Sequence, residues 1–156
     1  MLTIERDDLS GLQIAELLQQ HLNDMYRVSP SESVHALDLS KLKASNIKFW
    51  CAWQGEVLLG CGALKILNTS QGEIKSMRTA NGQCRKGIAS QLVDHIIREA
   101  HCLGLKQLLL ETGTQTFFHP AHQLYLHKGF QFCGPFADYK ADPNSTFMHL
   151  DLTQLN

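Results

Sequence analysis

Hydrophobic and polar positions change period several times along the chain, and each change predicts an element. Leu2 to Glu5 predicts a first strand. Ser10 suits a helix N-cap, and Leu12, Leu17, Leu18 and Leu22 follow at helical spacing, which predicts a helix ending near Tyr26. The polar stretch Ser29-Pro30-Ser31-Glu32-Ser33 breaks that period, after which Leu37, Leu39 and Leu42 predict a short second helix within His35 to Ala44. Ile47 to Trp53 and Val57 to Leu67 read as two strands joined through Gln54-Gly55-Glu56, a hairpin.

A third strand is predicted from about Glu73 to Thr79, after the turn residues Asn68 to Gly72. The period then becomes helical: Ile88, Leu92, Ile96 and Ala100, flanked by Val93, Ile97 and Leu103, give an amphipathic helix ended by Gly104. Leu108-Leu109-Leu110 is a short apolar run suited to a central strand buried on both faces. Pro120, Leu124, Tyr125 and Gly129 mark the start, body and end of another helix, with strands at Phe130 to Cys133 and Phe147 to Leu152 after it. No repeat, linker or low-complexity tract divides residues 1–156, so the pattern reads as one mixed α and β domain.

Composition narrows the class. A hydrophobic fraction of 44% and a charged fraction of 19% are ordinary for a globular chain. The formal net charge of −1 supplies no broad basic field, so capture of nucleic acid or an anionic membrane is not expected, and an anion site would have to be local. Met1 to Asp8 reaches acidic residues too soon for a secretory apolar stretch, and the chain reads as cytoplasmic. Cysteines at 51, 61, 84, 102 and 133 are odd in number and form no Cys-x-x-Cys pair; most are expected to be small buried hydrophobes.

One connection offers local anion chemistry. Ala80-Asn81-Gly82-Gln83-Cys84-Arg85-Lys86 joins a strand to the helix opening near Gly87. A helix N-terminus carries unpaired N–H groups and the positive end of the macrodipole, so it can bind phosphate through backbone donors. Gly87 and Ala89 lack bulk, and Arg85 and Lys86 add positive charge at the rim. The same residues would also suit a solvated turn. Gly60-Cys61-Gly62 lacks the third glycine of a dinucleotide fingerprint, and no Gly-x-x-x-x-Gly-Lys-Ser/Thr string occurs.

Met77-Arg78-Thr79, Arg85-Lys86-Gly87-Ile88-Ala89 with its helix, and Leu124-Tyr125-Leu126-His127-Lys128-Gly129-Phe130 together resemble the core motifs of GNAT-superfamily acyltransferases, over about Glu73 to Cys133. The final segment, with Gly134-Pro135-Phe136, Tyr139 and Asp142-Pro143-Asn144-Ser145, is similar to a bacterial subgroup of that superfamily. The resemblance implies an α+β fold with a central, mostly antiparallel sheet flanked by helices. It also implies acetyl transfer from acetyl-CoA, as co-substrate, to an amine of a small molecule or peptide by direct attack in a ternary complex, without a metal. Met77, Arg78 and Thr79 would line the pantetheine arm, and Cys84, Arg85, Lys86, Gly87, Ile88, Ala89 and Ser90 would hold the pyrophosphate. Cys84 stands where the family usually has Arg or Gln, and Phe118 where it often has Asn.

Transfer to an amine requires its deprotonation, oxyanion stabilisation and a proton for the leaving thiolate. By resemblance Tyr125 is the candidate acid; packing in the core is the other reading. Glu73 is the first candidate base and Glu111 the second, while a backbone N–H near Met77 or Arg78 would serve the oxyanion. His119, His122 and His127 lack a matching Cys or carboxylate at zinc-site spacing, so no metal is expected. The acceptor would lie against the first two helices, near Tyr26, Arg27, His35 and Asp38. A non-catalytic acyl-CoA-binding or regulatory module is the alternative, and a generic interaction domain a third reading; a homodimer is left open because no sequence feature fixes a symmetry interface.

Overall fold

In the computed structural model, which describes residues 1–84 and 86–155, seven strands form one sheet in the order β1-β2-β3-β4-β5-β7-β6. The strands are β1 Leu2–Arg6, β2 Ile47–Gln54, β3 Val57–Ile66, β4 Gln71–Thr79, β5 Gln107–Gly113, β6 Gln131–Cys133 and β7 Ser145–Asp151. The helices are α1 Leu12–Val28, α2 Leu39–Leu42, α3 Ile88–Cys102 and α4 His119–His127. Neighbouring strands are antiparallel except β4 and β5, which α3 connects as a crossover. This is the expected mixed, mostly antiparallel sheet, with Leu108-Leu109-Leu110 in a central strand.

Helices cover both faces. Trp50, Leu64, Ile74 and Leu110 pack with Val93 and Ile96 of α3 and Tyr125 of α4, while Phe49, Cys51, Cys61 and Ala63 pack with Ile14, Leu17 and Leu18 of α1. Because consecutive residues serve opposite cores, β2 and β3 read as continuous apolar runs. Burial of these side chains is the main favourable contribution to folding, at roughly 25 cal/mol per Å² of apolar surface.

Several expectations shift. Gly11, in extended backbone, is the N-cap of α1, whereas the Ser10 hydroxyl donates to Asp8 at 2.6 Å. The buried face of α1 is Ile14, Leu17, Leu18 and His21, and Leu12 is 82% exposed. The helix continues past Tyr26 to Val28. The helix expected within His35 to Ala44 contracts to α2, preceded by a 3-10 turn at Ser31–Ser33, because Asp38 uses its carboxylate to cap the Lys41 N–H and so fixes a late start. Of the five cysteines, Cys51 and Cys61 are buried while Cys84 and Cys102 are exposed.

One irregularity shapes the site. On β3 and β4, Cys61 pairs with Arg78 but Ala63 pairs with Lys75, so Gly62 faces both Ser76 and Met77. The extra residue is a bulge, with Ser76 at φ 56°. A Cβ at Gly62 would collide with the Met77 sulfur, which is why glycine stands opposite the bulge. Parallel pairing of β4 with β5 is confined to Gln71–Glu73 against Gln107–Leu109; beyond those rungs the two strands part.

Candidate active site

The parting strands open a cavity of about 280 Å³, bounded by residues 74–79 of β4 and 110–113 of β5. Phe118 and Tyr125 line it from one side, and His21 and Met25 of α1 from the other. Cys84, in the turn leading to α3, borders it. Gly87 is the N-cap at φ 77°, ψ 10°, a left-handed geometry suited to glycine, and no side chain caps the helix. The first turn contains no acidic residue, so the N–H groups of Ile88, Ala89 and Ser90 form an uncontested positive helix end.

Cys84 is exposed and reaches the cavity wall, and Lys86 donates to the Gln83 side chain at 3.0 Å. Arg85 lies outside the described residues. Met77 packs toward α3, while Met77, Arg78 and Thr79 all border the cavity. The Arg78 guanidinium is turned onto α1, where it donates to Asp24 at 2.6 Å, and to Asn81 at 3.2 Å. Its side chain therefore ties β4 to α1, leaving the backbone to the strand gap.

Tyr125 is placed by the end of its own helix. Gly129 adopts φ 100°, the Phe130 N–H donates to the Tyr125 carbonyl at 3.0 Å and the Gly129 N–H to Leu126, a Schellman closure. Phe130 then packs its ring 5.4 Å from that of Tyr125. One turn earlier, His122 contacts the Thr112 hydroxyl at 2.6 Å and the Gly113 carbonyl at 3.0 Å, clamping α4 to the end of β5. Phe118 lies over Gly113, where a Cβ would collide with its ring. Burial raises the Tyr125 phenol above its ordinary range, so it keeps its proton at neutral pH.

The two candidate bases differ in surroundings. Glu73 accepts from the Tyr139 hydroxyl at 2.6 Å and from Lys75 at 3.3 Å. Lys75 also donates to Tyr139 at 2.9 Å and to the His35 carbonyl at 3.1 Å, which occupies all three ammonium protons. Glu111, which shares the cavity, has no ion pair among the described residues. Burial pushes its carboxyl up to about 7, with the nearby Ser145 hydroxyl and then Lys75 opposing the shift and Glu73 reinforcing it.

Of the residues expected near the acceptor, His35 lines the cavity and stacks edge-on against Tyr139 at 5.0 Å. Tyr26 is 57% exposed, Arg27 sits over the Phe117 ring at 5.8 Å, and Asp38 caps α2; these three are not among the cavity-lining residues. His21, Lys75, Ser76 and Tyr139 were not anticipated. The Glu73-x-Lys75 alternation on one strand face was a visible signal for Lys75. Tyr139, distant in sequence from Glu73, gave none.

Residues 14–130 match the model of the acetyltransferase (GNAT) family. The chain is 54% identical over 145 residues to the uncharacterized N-acetyltransferase YsnE of Bacillus subtilis, covering 93% of this chain and 96% of that protein. It is 48% identical over 156 residues to the uncharacterized N-acetyltransferase YedL of Escherichia coli, covering 100% and 98%. A Bacillus subtilis acetyltransferase solved in complex with CoA superposes with a TM-score of 0.72 at 20% identity, over 97% of this chain and 99% of that one. The chain belongs to the GNAT acetyltransferase family. It is an N-acetyltransferase. Among the described residues no helix is long and apolar enough to cross a membrane.

Proposed function

We propose that the protein transfers an acetyl group from acetyl-CoA to an amine held on the α1 side of the β4–β5 gap, with Glu111 as base and Tyr125 as acid. The observation that carries this reading is a cavity bordered by the turn that leads into an uncapped helix N-terminus, with both a proton acceptor and a proton donor on its walls. Acetyl-CoA would supply the thioester. The N–H groups of Ile88, Ala89 and Ser90, with Gly87 and Lys86 beside them, would hold its pyrophosphate, and the parted edges of β4 and β5 would flank its arm.

Glu111 is favoured over Glu73 for a physical reason. The Glu73 carboxylate is already committed to Tyr139 and Lys75, whereas a carboxyl titrating near 7 is matched to neutral pH. An amine arriving as ammonium first loses one proton to solvent; Glu111 takes the second as the new N–C bond forms. Tyr125 gives its proton to the sulfur as the C–S bond breaks, and solvent exchange restores both groups. Glu73, Lys75 and Tyr139 then act as a rigid wall rather than as proton carriers.

Calorimetry with acetyl-CoA, paired with a thiol-release assay over a broad amine panel, tests this. Acetyl-CoA should bind and at least one amine class should turn over, while Tyr125→Phe should lower kcat by about 10² or more and spare acetyl-CoA affinity. Unchanged kcat in that variant would remove Tyr125 from the mechanism.

A further inference from the structure

Burying a polar atom without a hydrogen bond costs about 1–3 kcal/mol, so folded proteins carry few of them. Five such side-chain atoms occur among the described residues, and three belong to residues that line the cavity: His21 Nδ1, Ser76 Oγ and Arg78 Nε. They come from α1 and from the bulged stretch of β4, the side on which Lys75 and Arg78 also lie. Their side chains have little freedom to turn elsewhere. His21 is 9% exposed, Ser76 is fixed on its bulge, and Arg78 is held through its other nitrogens by Asp24 and Asn81.

Their chemistry selects a partner. Arg78 Nε–H can only donate, the Ser76 hydroxyl can donate or accept, and a neutral imidazole nitrogen can accept. His21 is held neutral because burial and the Arg78 charge push it down to about 4. Two donors and one acceptor match an amide, whose oxygen takes hydrogen bonds from Arg78 and Ser76 and whose N–H gives one to His21.

Charge distinguishes that group from a carboxylate. Arg78 is paired with Asp24, which also meets the exposed Arg27, and Lys75 is paired with Glu73; Glu111 is left as the cavity-lining carboxylate with no ion pair among the described residues. An acceptor bearing one ammonium and a neutral amide balances the cavity. A free amino acid would bring its own carboxylate into the cavity beside Glu111.

On the assignment of this cavity as the transferase site, we propose that His21, Ser76 and Arg78 form an amide-binding acceptor subsite. The enzyme thereby acetylates the α-amine of a peptide or amino-acid amide in preference to a free amino acid.

The test compares matched sets: amino-acid amides, the corresponding free amino acids, and alkylamines of the same size, each assayed for acetyl-CoA-dependent thiol release by the full chain. The amides should show kcat/KM at least about tenfold above their partners, the scale of one well-formed hydrogen bond. Ser76→Ala should lower kcat/KM for the amide about tenfold more than for the matched alkylamine, and His21→Leu should do the same if it folds. Amides no better than free acids, or variants that slow amide and alkylamine equally, would overturn the subsite and leave water as the partner of these atoms. A rise in the KM for acetyl-CoA as large as that for the amide would overturn it in favour of a cofactor contact. Turnover of alkylamines alone sinks the subsite and spares the transferase assignment; acetylation of no amine sinks both.

Discussion

In the turn that borders the cavity, the groups suited to phosphate are backbone N–H groups contributed by consecutive residues at the start of α3. On the cavity wall, the groups suited to proton transfer and recognition are side chains drawn from α1, β4, β5, α4 and the segment around Tyr139. On the proposed reading the first region works through a turn shape and a helix dipole, so the side chain at Cys84 should matter little to it. The second depends on which charges are paired and which are not. Glu73 and Glu111 occupy the same cavity, yet one is fully engaged and the other is not. The proposed function divides accordingly: binding should survive side-chain changes at the turn, whereas catalysis should depend on a few long-range contacts.

The sharpest way to break this contrast is Glu111→Gln. It should reduce kcat/KM for the acceptor by about 10²–10⁴ with acetyl-CoA affinity retained, and it should abolish the rise of wild-type kcat/KM with pH around 7. Stability gives an independent readout. A carboxyl raised from 4.5 to about 7 holds its proton more tightly in the folded chain, so its stabilising contribution is full below pH 4.5 and lost as pH rises through 7. Relative to Glu111→Gln, the wild type should lose about 3 kcal/mol across that window in denaturant titrations. A flat difference between the two proteins would return Glu73 to consideration.

A smaller effect is expected at the turn. Space is open around the Cβ position of Gly87, so Gly87→Ala should act through its left-handed backbone alone. It should weaken acetyl-CoA by about tenfold in calorimetry, with kcat at saturating donor close to wild type. The smallest is Lys86→Glu, expected to weaken acetyl-CoA a few-fold at low salt and less at high salt, because an exposed charge is screened. A salt-independent loss would place Lys86 in direct contact with phosphate.

The fold was legible where local rules act within one element: Gly104 and Gly129 as helix ends, Pro120 as a helix start, and Leu108-Leu109-Leu110 as a buried strand. The turn at Gly87 was legible for the same reason. Leu12 misled because an exposed leucine costs little, and nothing in the spacing announced that His21 completes the buried face instead. The pairing of Tyr139 with Glu73 was not legible, since it requires a distant loop to fold back over β4. Gly60 and Gly62, tested as a nucleotide fingerprint, proved to be space for the bulge and for the approach of Ile88 and Met77.

The three rungs joining β4 to β5 carry a mechanical consequence. The sheet is two stiff plates, β1 to β4 and β5 to β7, joined at one end like the arms of tweezers. Ser76 sets the set of one arm, and the His122 grip on Gly113 fixes the tip of the other. Gripping force at the open end is therefore governed by residues that need never touch the molecule being gripped.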